Sequence, residues 1–390
     1  MIGASNNMRW NNKGHEFDSL ENEFKGKKVF LYGCGEIGTD TYYKLKYCEC
    51  VDGFIDNFYA KDRYLDKPVF SFENFCEKFN DTLAVIIVCV AGNAGKAIMR
   101  ECSNNGWSEN RTLFNIAESN YIIPFLYAYG YEMLYLKSFA LSVTEYCTLK
   151  CKECALSFPY FKKRKSYGIE DIKDNIDILF KNVDYIYYFE IIGGEPFLYP
   201  ELEEVLNFIH EYYSMHIGKL VITTNATILP TVSVLETIKK VDGIINISDY
   251  SEIENLHAKT LKLEEYLKEN QIEVRVSDHL VWSDFGLNKQ NVNNSCAEAE
   301  CVMAHCGIEC VTVQDGKLYY CFPALNAGKL FYPEVSQKDN YIDLNNNDFS
   351  KREMMEWLLG YRKKGYLEMC KHCYGQYGNP RVVTPGIQLE

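Results

Sequence analysis

The chain has 390 residues, a formal net charge of −13 and sixteen cysteines. That length exceeds one average core and calls for two or three domains, and the acidic balance excludes a nucleic-acid backbone as the main partner, because phosphate binding needs a basic surface. No stretch reaches the ~18 uninterrupted apolar residues of a membrane helix, and the first ten residues carry no apolar signal core, so a reducing cytosol with thiols reserved for metal is expected.

Residues 1–24 are polar and read as an irregular arm. The segment 25–120 reads as a Rossmann-like domain. Lys28–Tyr32 is an apolar strand running into Gly33-Cys34-Gly35-Glu36-Ile37-Gly38; a helix is expected over 39–46, and a strand at 53–55 closes on Asp56-Asn57. Strand, GxGxxG, helix, strand and acid is the order in which a tight glycine turn aims helix amides at a phosphate and the acid takes a ribose hydroxyl. Gly33, Gly35, Gly38 and Asp56 are therefore candidate nucleotide contacts. Further elements are expected at 84–90 (strand), 94–103 (helix) and 112–114 (strand). The glycine run followed by Phe-Ile-Asp-Asn resembles the small Rossmann-like domains of nucleotide-sugar acyltransferases and polysaccharide-biosynthesis proteins. That resemblance implies a nucleotide or nucleotide-sugar ligand, with a purely structural role as the alternative.

After a connector at 121–137, the segment 138–295 alternates strand and helix. Strands are expected at 139–144, 184–192, 220–224, 243–247 and 273–276, with helices at 167–181, 200–210, 235–240 and 253–268. Such alternation requires a parallel sheet, and five legible strands suit an open, partial barrel. Carboxyl ends of parallel strands face the substrate in barrels of this kind. At those ends stand Cys147-x3-Cys151-x2-Cys154, Gly193-Gly194-Glu195-Pro196, Asn225 and Ser248. Three thiols are one short of a closed tetrahedral site and suit a four-iron, four-sulfur cluster with one iron left open; a zinc knuckle with a distant fourth ligand is the alternative.

Together these motifs resemble the radical S-adenosylmethionine (SAM) superfamily. The resemblance implies that Cys147, Cys151 and Cys154 hold a 4Fe–4S cluster whose open iron chelates SAM. It also implies that Gly193, Gly194, Glu195 and Pro196 form the edge meeting the methionine ammonium, and that Asn225 and Ser248 contact the SAM ribose or carboxylate. One departure is Glu153, where the family usually has an aromatic residue or histidine before the third cysteine.

Cysteines crowd again in 296–390. Cys306 is followed by nine residues, Gly316, four residues and Cys321, with an Asp315-Gly316 hairpin turn between them. Cys370 and Cys373 add a CxxC. Two thiols from a hairpin and two from a CxxC complete a four-thiolate cage, zinc being the alternative occupant. The pattern resembles the SPASM and twitch domains of radical SAM enzymes and implies one auxiliary 4Fe–4S cluster. Cys296, Cys301 and Cys310 are left unassigned.

The fold class expected is therefore α/β: a Rossmann-like domain, a partial radical SAM barrel and a small twitch-like domain with a hairpin. The resemblance implies reductive SAM cleavage and hydrogen abstraction from a sugar, cyclitol or nucleotide-sugar, giving dehydrogenation or epimerisation. The alternatives are maturation of a ribosomally made peptide and a zinc-binding scaffold without catalysis. The implied partners are a small-molecule substrate and an electron donor such as flavodoxin or ferredoxin.

Overall fold

The computed structural model describes residues 24–116, 119–278, 281–306, 311–335, 340–346, 348–360, 365–375 and 381–390. Cys310 and all of the expected arm except Phe24 lie outside the described residues. The chain divides into two compact units, Met1–Lys137 with Phe349–Lys363, and Ser138–Asp348 with Lys364–Glu390. Among the described residues no helix is long and apolar enough to cross a membrane.

The first unit is built on a six-stranded sheet. Its elements are β1 (Lys28–Tyr32), α1 (Glu36–Leu45), β2 (Val51–Ile55), β3 (Arg63–Tyr64), β4 (Lys67–Phe70), α2 (Phe72–Lys78), β5 (Ala84–Val88), α3 (Gly92–Asn104) and β6 (Leu113–Asn115). The order is β3-β4-β2-β1-β5-β6, parallel throughout except for the antiparallel β3–β4 pair. β5 is Ala-Val-Ile-Ile-Val and every residue is fully buried, as a central strand covered on both faces must be. Phe30 and Phe75 pack edge to face at 4.8 Å, and burying each such ring contributes about 1.5–3 kcal/mol. The β3–β4 hairpin and α2 are not among the elements expected from the sequence. Residues 119–130, expected within a connector, are helical: α4 (Ser119–Phe125) continues into a π-helical turn, Leu126–Gly130. Tyr127 is fully buried there and its hydroxyl donates to the Lys44 carbonyl at 2.9 Å.

The second unit contains β7 (Tyr135–Ser142, its first residues in the first unit), α5 (Ile169–Asn182), β8 (Tyr185–Ile192), α6 (Leu202–Tyr213), β9 (Ile217–Thr224), α7 (Val232–Lys240), β10 (Ile244–Asp249), α8 (Glu254–Glu269) and β11 (Val274–Asp278). These strands form a five-stranded sheet ordered β11-β10-β9-β8-β7. The pairs β8–β9, β9–β10 and β10–β11 are parallel, so the strand ends line one edge of an open, partial barrel. The short β12 (Trp282–Ser283) follows.

The cysteine-rich tail contributes α9 (Cys296–Ala304), the hairpin β13 (Thr312–Gln314) and β14 (Lys317–Tyr319), β15 (Tyr341–Asp343) and β16 (Val382–Val383). Asp315 and Gly316, at φ 52° and 69°, make the hairpin turn in the left-handed region that Asp-Gly favours. β15 has no signal in the sequence pattern and pairs with β14. The tail was expected as one piece over 296–390, but 349–363 lies in the first unit. There α10 (Lys351–Leu358) buries Met354 and Met355, and Glu356 accepts a hydrogen bond from Tyr129 at 2.5 Å.

Candidate active site

The cysteine loop leaves β7 clasped from two sides. On one side Gly194 donates its N–H to the Thr144 carbonyl at 2.7 Å, and Glu195 donates to Tyr146 at 2.8 Å. On the other, Glu145 is buried, and its carboxylate accepts from Lys165 N–H at 3.0 Å and Tyr167 hydroxyl at 3.1 Å. The two glycines have a specific task. A Cβ on Gly194 would lie 2.2 Å from the Tyr146 carbonyl oxygen and 2.7 Å from the Cys147 Cβ, and one on Gly193 would lie 2.9 Å from the Thr144 oxygen. Only a residue without a side chain lets the two loops approach this closely.

Each thiol has N–H groups around it. Cys147 Sγ accepts from Leu149 N–H at 3.4 Å and Asn225 Nδ2 at 3.3 Å. Cys151 Sγ accepts from Gln388 Nε2 at 3.4 Å. The backbone N–H groups of Leu156, Ser157 and Phe158 and the charge of Arg164 all favour a thiolate at Cys154. Burial works the other way, pushing Cys147 up to about 12 and Cys151 up to about 11. Cys147 feels the charge of Cys151 and Cys154, and Cys151 that of Cys154; buried Tyr250 feels all three and Glu195. A metal cluster takes deprotonated sulfur, and N–H donors are what stabilise that charge.

Glu195 is fully buried. Its Oε1 accepts from Thr224 hydroxyl at 2.8 Å and Phe197 N–H at 3.2 Å, and its Oε2 from Asn225 N–H at 2.9 Å. Burial raises its carboxyl to about 7 against these three bonds. Its side chain thus ties the end of β8 to the end of β9, while Pro196 opens a short 3-10 turn. Asn225 is buried as well and is turned toward Cys147. Ser248 sits near the end of β10 in register with Ser277, partly exposed.

A strap missed by the sequence analysis crosses this edge. β16 pairs with β12 through Trp282↔Val383. A Cβ on Gly386 would lie 2.9 Å from Ile253 and 3.3 Å from the Tyr250 ring. Beyond it, Lys152 N–H donates to Ile387 at 2.7 Å, and Leu389 N–H donates to Lys150 at 2.8 Å. Gln388 completes the pairing, accepting Lys150 N–H at 2.5 Å. Nothing in the composition of this tail marks it; the signal exists only in three dimensions.

The tail cysteines form a second group. Cys306, Cys321, Cys370 and Cys373 line one small apolar pocket with Val302, Met303, Leu367 and Met369. α9 leads to Cys306, the hairpin to Cys321, and a 3-10 turn (Glu368–His372) to the CxxC. Burial pushes Cys321 and Cys373 well up, and the other thiols of the group add to the shift. Asn294, another residue missed from sequence, donates through Nδ2 to the Cys370 and Cys373 carbonyls at 2.9 and 2.8 Å. Cys301 and Cys296 lie exposed on α9 and do not line the cavity, Cys296 accepting from Tyr366 hydroxyl at 3.1 Å. Among the described residues no three His, Cys, Asp or Glu converge as they would on a single ion.

The glycine turn of the first unit closes on itself. Gly33, at φ 121°, packs on Cys89 and Val90, and a Cβ on Gly38 would lie 2.0 Å from the Gly33 carbonyl. A Cβ on Gly35 would meet nothing within 4 Å. The Asp56 carboxylate, expected on a ribose, instead accepts Cys34 N–H at 2.9 Å, Phe58 N–H at 2.9 Å and Tyr59 N–H at 3.1 Å.

The family model for the radical SAM superfamily matches residues 141–249, the span from the end of β7 to the end of β10. The chain carries a radical SAM domain. Over 147 residues it is 31% identical to the antilisterial bacteriocin subtilosin biosynthesis protein AlbA of Bacillus subtilis (strain 168), covering 35% of this chain and 31% of AlbA. Among solved structures, BtrN in complex with AdoMet and 2-DOIA is 19% identical, with a TM-score of 0.41 over 64% of this chain and 98% of BtrN. SuiB of Streptococcus suis bound to S-adenosylmethionine is 21% identical, with a TM-score of 0.31 over 47% of this chain and 43% of SuiB. The chain thus spans less than half of AlbA or of SuiB. A radical SAM domain implies a 4Fe–4S cluster and SAM, and three clustered thiols served by N–H donors fit the cluster.

Proposed function

We propose that the protein reductively cleaves SAM and directs the resulting radical to a substrate bound inside the barrel. The observation that carries this reading is the meeting of Cys147, Cys151 and Cys154 at the carboxyl edge of the sheet, clasped by Gly193–Glu195. When bound there, the cluster supplies the electron that splits the SAM sulfonium into methionine and a 5′-deoxyadenosyl radical. The chain's own residues hold and shield that chemistry. Gly193 and Gly194 fix the loop, Asn225 and Gln388 place N–H dipoles on two ligand sulfurs, and the 386–389 strap with Tyr250 limits water at the edge.

Cys306, Cys321, Cys370 and Cys373 would hold an auxiliary 4Fe–4S cluster. The four line one apolar pocket, and metal analysis of the reconstituted protein separates iron from a four-thiolate zinc ion. For the substrate, we infer maturation of a peptide, on the likeness to AlbA, whose name places it in bacteriocin biosynthesis. A sugar, cyclitol or nucleotide-sugar is the second reading, favoured by the parallel sheet of the first unit and its glycine turn. A flavodoxin- or ferredoxin-type donor would supply the electrons. The test is anaerobic reconstitution with SAM and dithionite: 5′-deoxyadenosine should form, and its absence from a protein holding about eight irons would reject the reading. Assaying product with peptides and with sugars then separates the two substrate classes.

A further inference from the structure

The inner face of the barrel sheet carries a polar row that the cluster site does not use. Phe180 of α5 stacks on Phe189 of β8 at 6.0 Å and 15°, which turns Phe189 toward the helices. With a period of two, Glu190 faces the opposite way. On β9, a Cβ on Gly243 would lie 3.4 Å from Ile222 and 3.2 Å from Ile238 of α7, so Ile222 faces the helices and Thr223 faces inward with Glu190. The helix-side residues Phe189, Ile191, Ile222, Ile245 and Ile247 are fully buried. Their inner-face neighbours Glu190, Thr223, Asn246 and Ser277 are only partly so.

These four side chains make one directed chain across four strands. Ser277 Oγ donates to Asn246 Oδ1 at 2.8 Å, and Asn246 Nδ2 donates to Thr223 Oγ1 at 3.2 Å. Thr223 hydroxyl in turn donates to Glu190 Oε1. Every donor points toward the carboxylate. Glu190 Oε2 takes no hydrogen bond among the described residues, and it is not one of the sealed polar atoms lacking a partner, so it keeps some exposure. Burial raises the Glu190 carboxyl, opposed by the Thr223 hydrogen bond and by no cation. Two positive side chains share this face by register and are engaged by other groups: Arg275 pairs with Glu273 at 2.9 Å and bonds Tyr188, and Lys219 lies over the Tyr187 and Tyr188 rings. A half-satisfied carboxylate in such a place is costly, which makes it a candidate functional group.

Depth fits the same purpose. Glu190 precedes Gly193 by three residues and Thr223 precedes Asn225 by two, which places the row about 7–10 Å below the edge where the cysteine loop sits. A substrate group resting on Glu190 would hold a neighbouring carbon between the row and that edge.

We propose that Glu190, aligned by Thr223, Asn246 and Ser277, is a substrate-orienting site that receives a hydrogen-bond-donating group, a hydroxyl or an ammonium, next to the carbon that loses hydrogen. This rests on the radical SAM reading above. Saturation-transfer NMR on the full chain, with ethanolamine and glycerol as probes at millimolar concentration, tests it. Wild type should show transfer to at least one probe, and Glu190→Ala should weaken it at least tenfold. Glu190→Gln keeps an acceptor and loses the charge, so it should retain glycerol if the natural group is a hydroxyl and lose ethanolamine if it is an ammonium. Thr223→Val should weaken binding less, and Thr223→Ser should restore it, an outcome a merely structural role would not give. Circular dichroism of Glu190→Gln checks the fold. Absent transfer in wild type, or transfer unchanged in a folded Glu190 variant, overturns the proposal. A wild type that binds a probe but fails to cleave SAM keeps this site and removes the radical reading; one that cleaves SAM without binding either probe does the reverse.

Discussion

Cys147, Cys151 and Cys154 sit on an irregular loop held by hydrogen bonds from β8, β9 and residue 388, whereas Cys306, Cys321, Cys370 and Cys373 wall a cavity among Val302, Met303, Leu367 and Met369. In the first group polar dipoles reach two of the sulfurs from other elements; in the second the surroundings are chiefly hydrophobic side chains. A cluster that must receive an electron and engage a small molecule suits the first setting. One whose sulfurs are all held by protein suits the second, because burial in an apolar shell tunes potential and solvent access.

The widest break in this comparison is expected from the ligands themselves. Cys147→Ala, Cys151→Ala or Cys154→Ala should abolish 5′-deoxyadenosine formation, measured by chromatography after anaerobic reconstitution, and retained cleavage would refute the assignment. Replacing Cys370 and Cys373 together should remove about half the iron while part of the SAM cleavage survives; complete loss of iron would merge the two groups into one.

Glu195→Ala comes next. It orphans the Asn225 amide, the Thr224 hydroxyl and the Phe197 amide, at about 1–3 kcal/mol each, and should lower the melting temperature of the metal-free protein by well over 5 °C. The same carboxyl gives a pH signature. Its folded value of about 7 lies above the ordinary 4.5, so the folded state binds the extra proton between those values. Stability from this group is therefore present below pH 4.5 and lost as pH rises to 7, by at most about 3 kcal/mol. Glu195→Gln should flatten that part of the denaturation-against-pH curve, and an unchanged slope would assign it to another group.

The smallest effect is expected from the dipoles. Asn225→Ala and Gln388→Ala each remove an N–H from a ligand sulfur and should move the cluster midpoint by tens of millivolts to more negative values, read by titration with electron paramagnetic resonance. A shift for Asn225 alone would mean that the strap acts only mechanically.

Much of this layout is legible in the sequence where one local rule decides. β1 spans Lys28–Tyr32 as its apolar run predicts, and the five barrel strands fall where the strand–helix alternation places them, because central parallel strands are continuous apolar runs. Asp315-Gly316 makes the expected turn. Short pieces escape: β3, β4 and β15 have two to four residues and lean on neighbouring strands for their pairing. The reasons behind the site residues are the harder part. Gly193 and Gly194 read as a ligand edge, and the structure adds that they admit the cysteine loop. Asp56 reads as a ribose acceptor, yet backbone amides take both oxygens. Asn225 reads as a SAM contact, and its amide faces a thiol. Asn294 and Gln388 could not be found from sequence at all, since each meets partners seventy or more positions away.

The strap has a consequence for how the protein is made. Cys151 leaves the ribosome 237 residues before Gln388, and bringing such distant segments together is among the slower events of folding. The loop proposed to take iron therefore waits, Cys151 lacking its side-chain dipole and residues 150 and 152 their strap, until nearly all of the chain described here has emerged. Under that proposal, iron delivered before that moment would meet a loop held by residues 165–225 but still without its strap.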